Sequence, residues 1–325
     1  MAPTSVPTMT SSKTPRFHFL DALRGVAAVS VVLHHLFFAS VMTTIYEPVS
    51  PELVRFLFRA GANGVEIFFV LSGFVIAHSL RNNSLSPKDL GRFIVRRQVR
   101  LDPPYWAALA IGMIWLWVRN YLPGVERSPL PSPSDIVLNA TYLQNIFYLP
   151  KEGIVLDVAW TLCLEIQFYL LFIAVLWLCH DTRPPQKSYE EEIGPPPLTK
   201  RTIVIMWASG ALCLLTRHFV VDPHAIYFWT AWHYFVAGVL AYWAVTRKTS
   251  NLWIATFLGA FALSWVIGQI PAFSSPLHGT FSNCASPVAL FVGAATALSL
   301  WQLGIRDKLS LWENARPLQY LGRIS

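Results

Sequence analysis

The chain has 325 residues, of which 54% are hydrophobic and only 13% are charged. Because soluble globular proteins carry about a quarter of their residues as charged side chains, this composition excludes an ordinary soluble domain and favours a polytopic membrane protein. The net charge of +7 would suggest a nucleic-acid partner only if it lay outside the loops that flank membrane helices. It lies within them, so we expect no nucleic acid.

Residues 1–15 are rich in Ser, Thr and Pro and lack the apolar core and cleavage pattern of a signal peptide. They predict a disordered cytosolic tail. The four cysteines form no CxxC motif and lie in or beside apolar segments, so they predict neither a disulfide framework nor a metal site. Residues 16–325 are predicted to form one all-α transmembrane domain.

Eight apolar stretches are long enough to cross a bilayer core of about 30 Å, which requires about 20 helical residues. They lie at residues 19–41, 61–80, 104–122, 155–179, 202–220, 226–245, 251–270 and 285–303. A ninth would begin near Leu318. With a cytosolic N-terminus, most Lys and Arg residues fall in cytosolic loops, as the positive-inside rule requires. We therefore predict a multi-pass helix bundle with eight complete spans and the start of a ninth, in the plasma membrane or the endoplasmic reticulum.

Two of the predicted loops are long. Residues 123–154 are predicted to form a partly ordered outer loop, which contains the N-glycosylation sequon Asn139-Ala140-Thr141. Residues 181–201 mix charged side chains with Pro and predict a flexible cytosolic linker.

The first predicted span, "LDALRGVAAVSVVLHH" at residues 20–35, carries several ionisable groups. Arg24 and His35 are eleven positions apart, which is within about 20° of full helical turns, so they share one face about 16 Å apart along the axis. Asp21 lies on the same side. Such groups are costly within a bilayer unless they line a cavity or have partners, so this face is a candidate functional site. The alternative is an interfacial Asp21–Arg24 ion pair with His35 as a satisfied core histidine.

Five segments then resemble, in chain order, the signature regions of the integral-membrane acyltransferase 3 family. They are "LDALRG" with the following "HH", "GVEIFFVLSGFVI", "RRQVRLDPPYW", "WTLCLEIQFYLLF" and "LQYLGRIS". Members of this family O-acylate sugars, surface polysaccharides, antibiotics and other small metabolites. The resemblance implies transfer of an acyl group, most simply acetyl, from acyl-CoA as co-substrate to a hydroxyl of a carbohydrate or small metabolite, without a bound cofactor or metal.

The resemblance also implies roles for individual residues. Arg24 and His35 correspond to a pair regarded as essential, in which the histidine accepts a proton. Arg96, Arg97 and Arg100 correspond to a basic pattern associated with acyl-CoA at the cytosolic face. The family helix that carries a Trp and an acidic residue corresponds to Trp160 and Glu165.

The chemistry of the side chains agrees with a proton-accepting role for His35, because imidazole titrates near neutral pH. Asp21 is more than three turns away along the helix and cannot orient that imidazole directly, so another group must. Glu165 and Glu66 are the candidates. For both, the alternative is an ion pair with an intramembrane arginine that only stabilises the fold.

Arginines are concentrated in "RFIVRRQVRLDPPYW". Arg92, Arg96 and Arg100 are spaced i, i+4, i+8 and would share one face of a helix, with Arg97 beside them. Several fixed guanidinium groups suit the 3′-phosphate and pyrophosphate of CoA. The alternative is an ordinary basic loop set by membrane topology.

Ser72 in "FFVLSGF" is a weaker candidate for a nucleophile, because the segment is not a Gly-x-Ser-x-Gly motif. Small residues such as Ser72 and Gly73 also permit close helix packing. We therefore favour packing or a hydrogen bond to substrate for Ser72, and direct transfer from acyl-CoA without an acyl-enzyme.

Two further hypotheses compete with an acyltransferase. Arg24, His35 and Glu165 could serve a proton-coupled transporter, but a proton pathway does not need the arginine cluster. The sequence also stops at Ser325, where the family normally continues into another helix, so a shortened member, a truncated gene model and an inactive remnant are all open alternatives. A second copy of the chain, as a homo-oligomer, could cover the helix-packing face left open there.

Overall fold

The computed structural model describes residues 17–38, 52–81, 85–125, 127, 129–147, 149–179, 198–219, 228–246, 248–270 and 286–324. Within these ranges every regular element is a helix. The α-helices are α1 (His18–Phe38), α2 (Glu52–Ala60), α3 (Gly64–Ser79), α4 (Pro87–Arg119), α5 (Pro133–Ala140), α6 (Trp160–Leu178), α7 (Lys200–Thr216), α8 (Phe228–Val245), α9 (Asn251–Gly268), α10 (Pro287–Ile305) and α11 (Arg316–Ile324). The predicted tail and most of the predicted 181–201 linker lie outside the described residues.

Five helical segments in the described part of the chain are long and apolar enough to cross a membrane, so this is an integral membrane protein. They are His18–Phe37, Phe58–Ser79, Asp157–Leu178, Asn251–Gly268 and Pro287–Ile305. The other three predicted spans fall on α4, α7 and α8. Of these, α7 has only 17 residues and α4 carries the arginine cluster. The count of eight spans stays a prediction.

Helix α8 forms the centre of the bundle. Every residue from Ala231 to Ala244 is buried, and α3, α6, α7, α9 and α10 all pack against it. A helix that is apolar and buried on all sides needs neighbours all around it. Aromatic rings fill much of this core, including the stacked pair Phe168 and Phe235, whose centroids are 4.1 Å apart.

Helices α3 and α8 cross with their backbones in close contact. A side chain added at Gly73 would collide with the carbonyl of Phe235, and one added at Gly238 would collide with the carbonyl of Val70. Such close approach is typical of small residues at membrane helix interfaces. The predicted packing role of Gly73 is therefore confirmed, and the crossing fixes the position of the adjacent Ser72.

Helix α11 packs equally closely on the first helix. A side chain at Gly25 would collide with the carbonyl of Leu318, and one at Gly322 with the carbonyl of Asp21. Residues 318–322 thus lie against the turn of α1 that carries Asp21 and Arg24.

The predicted outer loop is anchored by a buried asparagine. Asn139 has no exposed surface, and its Nδ2 donates to the carbonyls of Asp135 and Gly153 at 2.8 Å each. Its Oδ1 accepts from the backbone N–H of Val155 at 3.2 Å. The sequon asparagine is therefore a structural anchor in the folded protein rather than an accessible glycosylation site.

Cys163, Cys179 and Cys213 are buried, as the sequence predicts for small apolar side chains. Cys284 lies outside the described residues.

Candidate active site

The centre of the candidate site is the carboxylate of Glu165, near the start of α6. Its Oε1 accepts a hydrogen bond from Arg97 Nη2 at 3.0 Å and another from Ser72 Oγ at 2.8 Å. The side chains of Arg97 and Glu165 are each only 20% exposed. Two donors on one oxygen, one of them charged, stabilise the ionised carboxylate within the bundle.

Three helices contribute to this arrangement. Ser72 lies midway along α3, Arg97 lies on α4, and Glu165 and Tyr169 are one turn apart on α6. Arg97 also donates to the hydroxyl of Tyr169, and its guanidinium carbon lies 4.0 Å from the centroid of the Tyr169 ring. Contact with an aromatic face stabilises a cation in a poorly hydrated place. The guanidinium is therefore held on two sides.

Two further arginines lie near Arg97. Arg24 on α1 and Arg100 on α4 both lie close enough to Arg97 for their charges to repel it. Three guanidinium groups thus lie near one another, and Arg97 is the one that pairs with Glu165. Such a group of fixed cations is suited to an anionic ligand.

The other arginines of α4 lie on its exposed face and do not contact Glu165. The helix is continuous through the predicted i, i+4, i+8 series, and Arg92, Arg96 and Arg100 are all exposed. Arg92 Nη1 lies 3.4 Å from Asp89 Oδ1, and Arg96 Nε donates to the carbonyl of Arg92 at 3.2 Å. Arg97 is rotated off their face and points into the bundle. The four arginines therefore form two groups, which the sequence prediction did not separate.

Arg100 links α4 to the last helix described. Its Nη2 donates to the backbone carbonyl of Arg323 at 3.4 Å. Since α11 also packs against the Asp21–Arg24 turn, α1, α4 and α11 meet at this edge of the site.

His35 lies near the other end of α1 and is exposed. Its ring is 5.3 Å from that of His34, and His34 Nδ1 is 2.9 Å from the carbonyl oxygen of Phe58. The carboxylate close enough to interact electrostatically with His35 is Asp157, in the short 3₁₀ turn Asp157–Ala159 before α6. Sequence reasoning missed Asp157, because no helical period connects this turn to α1.

Glu165 and Glu66 were the expected partners of His35. Glu165 instead pairs with Arg97, which was the alternative considered for it. Glu66 is fully buried in the first turn of α3. Trp160 is the first residue of α6, and its ring meets Phe69 edge-on with centroids 6.0 Å apart. Tyr169 was also missed, although its i+4 spacing from Glu165 in "EIQFY" was a usable signal.

Comparison with known proteins agrees with the family resemblance of the signature segments. The acyltransferase 3 family model, described as an acyltransferase domain, matches residues 17–325. BcsY of Komagataeibacter xylinus is 26% identical over 85% of this chain and 57% of its own length. The exopolysaccharide production protein ExoZ of Rhizobium meliloti is 31% identical over 65% of this chain and 61% of its own length.

The peptidoglycan O-acetyltransferase OatA of Listeria monocytogenes is 25% identical over 65% of this chain and 31% of its own length. The chain therefore spans less than two thirds of each of these three curated relatives. No solved structure matches it. Since the family model covers nearly the whole sequence, the chain belongs to the acyltransferase 3 family.

Proposed function

We propose that this protein is a membrane-bound O-acyltransferase that moves an acyl group, most simply acetyl, from acyl-CoA to a hydroxyl of a carbohydrate or small metabolite. The observation that carries the proposal is the Arg97–Glu165 pair inside a membrane helix bundle, with Arg24 and Arg100 close enough to Arg97 to repel its charge. A phosphate-bearing donor explains this group of arginines, whereas a proton pathway does not need it.

The donor approaches along α4. Arg92, Arg96 and Arg100 are exposed on one face, where guanidinium groups can bind the phosphates of CoA in bidentate fashion. Arg97 and Arg24 extend the positive field inward, towards the thioester. On the predicted topology, with a cytosolic N-terminus, this face opens to the cytosol.

His35 takes the proton of the acceptor hydroxyl. As the O–H bond breaks, the oxygen bonds to the thioester carbonyl carbon and a tetrahedral oxyanion forms. Its collapse breaks the C–S bond, and the departing CoA thiolate takes up the proton from the imidazolium. Asp157, whose charge reaches His35, stabilises the imidazolium while it exists.

Ser72 and Glu165 support this site without a covalent step. The Ser72 hydroxyl already donates to Glu165, so the hydroxyl hydrogen points at the carboxylate that pairs with Arg97. This geometry favours a positioning role for Ser72 and supports direct transfer over an acyl-enzyme. Trp160 lies on α6 with Glu165, Glu66 lies on α3 with Ser72, and Asp21 lies on α1 with Arg24. All three support the packing of the site.

The proposal is tested with protein purified in detergent and acetyl-CoA labelled in the acetyl group. The wild-type protein should bind acetyl-CoA and transfer the label to a hydroxyl acceptor. His35→Ala should retain acetyl-CoA binding and lose transfer by about 100-fold or more, the range for a general base.

Three results would contradict the proposal. Unchanged transfer by His35→Ala would remove this residue from the base role. Proton flux in liposomes without acetyl-CoA, together with no acetyl-CoA binding, would instead identify a transporter. Binding without transfer to any hydroxyl acceptor would identify an inactive family member.

A further inference from the structure

Helix α1 carries an open apolar stripe along one side. Val29, Val32, Leu33 and Leu36 recur at i, i+3, i+4 and i+7, so they share one side of the helix. Their exposed fractions lie between 38% and 56%. We refer to these four residues as the α1 stripe.

Other sides of α1 are covered by protein. A side chain at Gly25 would collide with the carbonyl of Leu318 on α11, and one at Gly61, in the turn before α3, would collide with the carbonyl of Ser30. The α1 stripe is therefore the open side of this helix in the described part of the chain. An open apolar surface on a membrane-spanning helix meets lipid.

His35 belongs to this open side. It follows Val32 by three positions, precedes Leu36 directly and is itself exposed. Lipid contact explains the valines and leucines of the stripe but not the imidazole, because ionisable groups in membrane helices normally face the bundle interior or a water-filled cavity. The position of His35 therefore indicates that its reaction partner arrives from the lipid side.

Three span ends show the depth at which His35 lies. The first apolar span ends at Phe37, two positions after His35, which is about 3 Å along the helix axis. The second span begins at Phe58, whose carbonyl oxygen is 2.9 Å from His34 Nδ1. The third begins at Asp157, whose charge reaches His35. The imidazole thus lies where the hydrocarbon core meets the lipid head groups.

The surroundings of the His35–Asp157 pair are apolar on both sides. Val32 and Leu36 flank His35, and Val158, which follows Asp157, is 53% exposed. A freely soluble acceptor gains nothing from these side chains. An amphiphile can place its hydroxyl at His35, at head-group level, and bury its alkyl chain against the α1 stripe.

We propose that the acceptor is an amphiphilic alcohol of the bilayer, which reaches His35 sideways from the lipid and packs its alkyl chain on the α1 stripe. The inference rests on the proposed acyltransferase function and deepens it, because it states how the acceptor is carried, whichever head group bears the hydroxyl. The bonds made and broken are those of the proposed transfer. The products are an acetyl ester that stays in the bilayer and the free thiol of CoA.

The test compares anchored acceptors with soluble ones. The protein is placed in phosphatidylcholine nanodiscs with acetyl-labelled acetyl-CoA as donor. Two acceptor pairs share a head group and differ in the chain: glycerol with 1-O-dodecylglycerol, and methyl glucoside with dodecyl glucoside. In whichever pair is acetylated, kcat/KM should favour the dodecyl member about 100-fold or more, because burial of its methylenes is favourable.

A substitution on the stripe separates packing from simple partition into lipid. Leu36→Gln keeps a similar volume but adds an amide, and it should raise the KM for the dodecyl acceptor, expressed as its mole fraction in the bilayer, about tenfold. The KM for acetyl-CoA should not change. Leu263→Gln on α9 is the matched control, since Leu263 is 54% exposed and Leu36 is 55% exposed, and it should change neither KM.

A second pair of variants covers the case in which Leu36→Gln fails to fold. Val32→Thr keeps the branched shape of the side chain and adds a single hydroxyl, so it should fold, and the KM for the dodecyl acceptor should again rise. Val266→Thr on α9 is its control, because Val266 is 52% exposed and Val32 is 56% exposed.

The two proposals fail differently. Wild-type protein that transfers acetyl to none of the four acceptors would overturn the acyltransferase proposal. Equal transfer to the soluble and the anchored member of a pair, or folded stripe variants that behave like their α9 controls, would overturn the amphiphile inference alone. Efficient disulfide cross-linking of Leu36→Cys between copies in native membranes would show that a second copy covers the stripe, which also overturns it.

Discussion

Two donors from two other helices, Arg97 and Ser72, meet on one oxygen of Glu165. Arg97 is 68 residues distant in the sequence and Ser72 is 93 residues distant. Each residue type was identifiable as a candidate from its motif, but the partners were not, because helical period relates residues within one helix only. The pairing arises from how α3, α4 and α6 pack.

Glu165→Gln should destabilise the protein and abolish most transfer, because it leaves the Arg97 cation without its carboxylate. For a pair that is one-fifth exposed, we expect a loss of about 1–3 kcal/mol, less than the cost of breaking a fully buried pair. Thermal unfolding in detergent measures the stability, and acetyl transfer measures activity.

The double variant Arg97→Gln/Glu165→Gln provides the control for this prediction. It should recover part of the lost stability but none of the activity, since the unpaired charge is gone while the site is still disrupted. Additive losses of stability in the double variant would show that the two side chains do not depend on each other.

Asn139→Ala should destabilise the outer loop by about 2–3 kcal/mol, because it removes three buried hydrogen bonds to the backbone. Thr141→Ala removes the sequon but leaves Asn139 in place, and it should change stability little. Treatment of the protein from eukaryotic cells with an endoglycosidase should not alter its electrophoretic mobility through Asn139. A shift that Thr141→Ala abolishes would contradict this prediction.

At the scale of whole helices, backbone contact between α3 and α8 determines where Ser72 lies. Gly73 and Gly238 permit that contact, and the residue beside Gly73 reaches Glu165 as a result. A second close contact, at Gly25 and Gly322, determines how α11 lies against the Arg24 turn. Helix spacing at these two crossings therefore controls the geometry of the polar centre between them.

Gly238→Ala should lower stability by about 1–3 kcal/mol and reduce transfer, because the added methyl group collides with the carbonyl of Val70 and separates the helices. Gly259→Ala on α9 is the matched control, since nothing lies within 4 Å of the added atom there. It should be neutral or slightly stabilising, as Ala favours a helix more than Gly does. Equal effects of both substitutions on the melting temperature and on transfer would show that the close contact between α3 and α8 contributes nothing specific.

For the molecule as a whole, the sequence predicts where the helices lie but not how they contact one another. Each predicted span falls on a helix, because a run of apolar residues indicates directly that the segment is buried, in lipid or in protein. The arginine face of α4 was also predictable, since it follows from spacing within one helix. The inward turn of Arg97, the approach of Asp157 to His35 and the burial of Asn139 depend on packing between distant segments, which periodicity does not encode.

The charge distribution leads to a prediction for the complete protein. Arg96→Gln and Arg100→Gln should each weaken acetyl-CoA binding about tenfold, because each removes a charge-assisted contact to phosphate. Both should also reduce the dependence of binding on salt, which screens exposed charges. Isothermal titration at low and high ionic strength measures the two effects.

The control for these two variants is Arg119→Gln. Arg119 lies at the C-terminal end of α4, about 28 Å from Arg100 at 1.5 Å per residue. The Arg119→Gln variant should bind acetyl-CoA as the wild type does. If all three variants lost affinity equally, the α4 arginines would act only through overall charge.

The burial of α8 has a consequence for biogenesis. This helix is enclosed by protein from Ala231 to Ala244 and carries His, Tyr and Trp side chains, so it gains little from contact with lipid. Its retention in the bilayer during synthesis therefore depends on helices made before and after it. We expect newly made chains to reach a protease-resistant state in one late step, once α10 has emerged from the ribosome and closed around it.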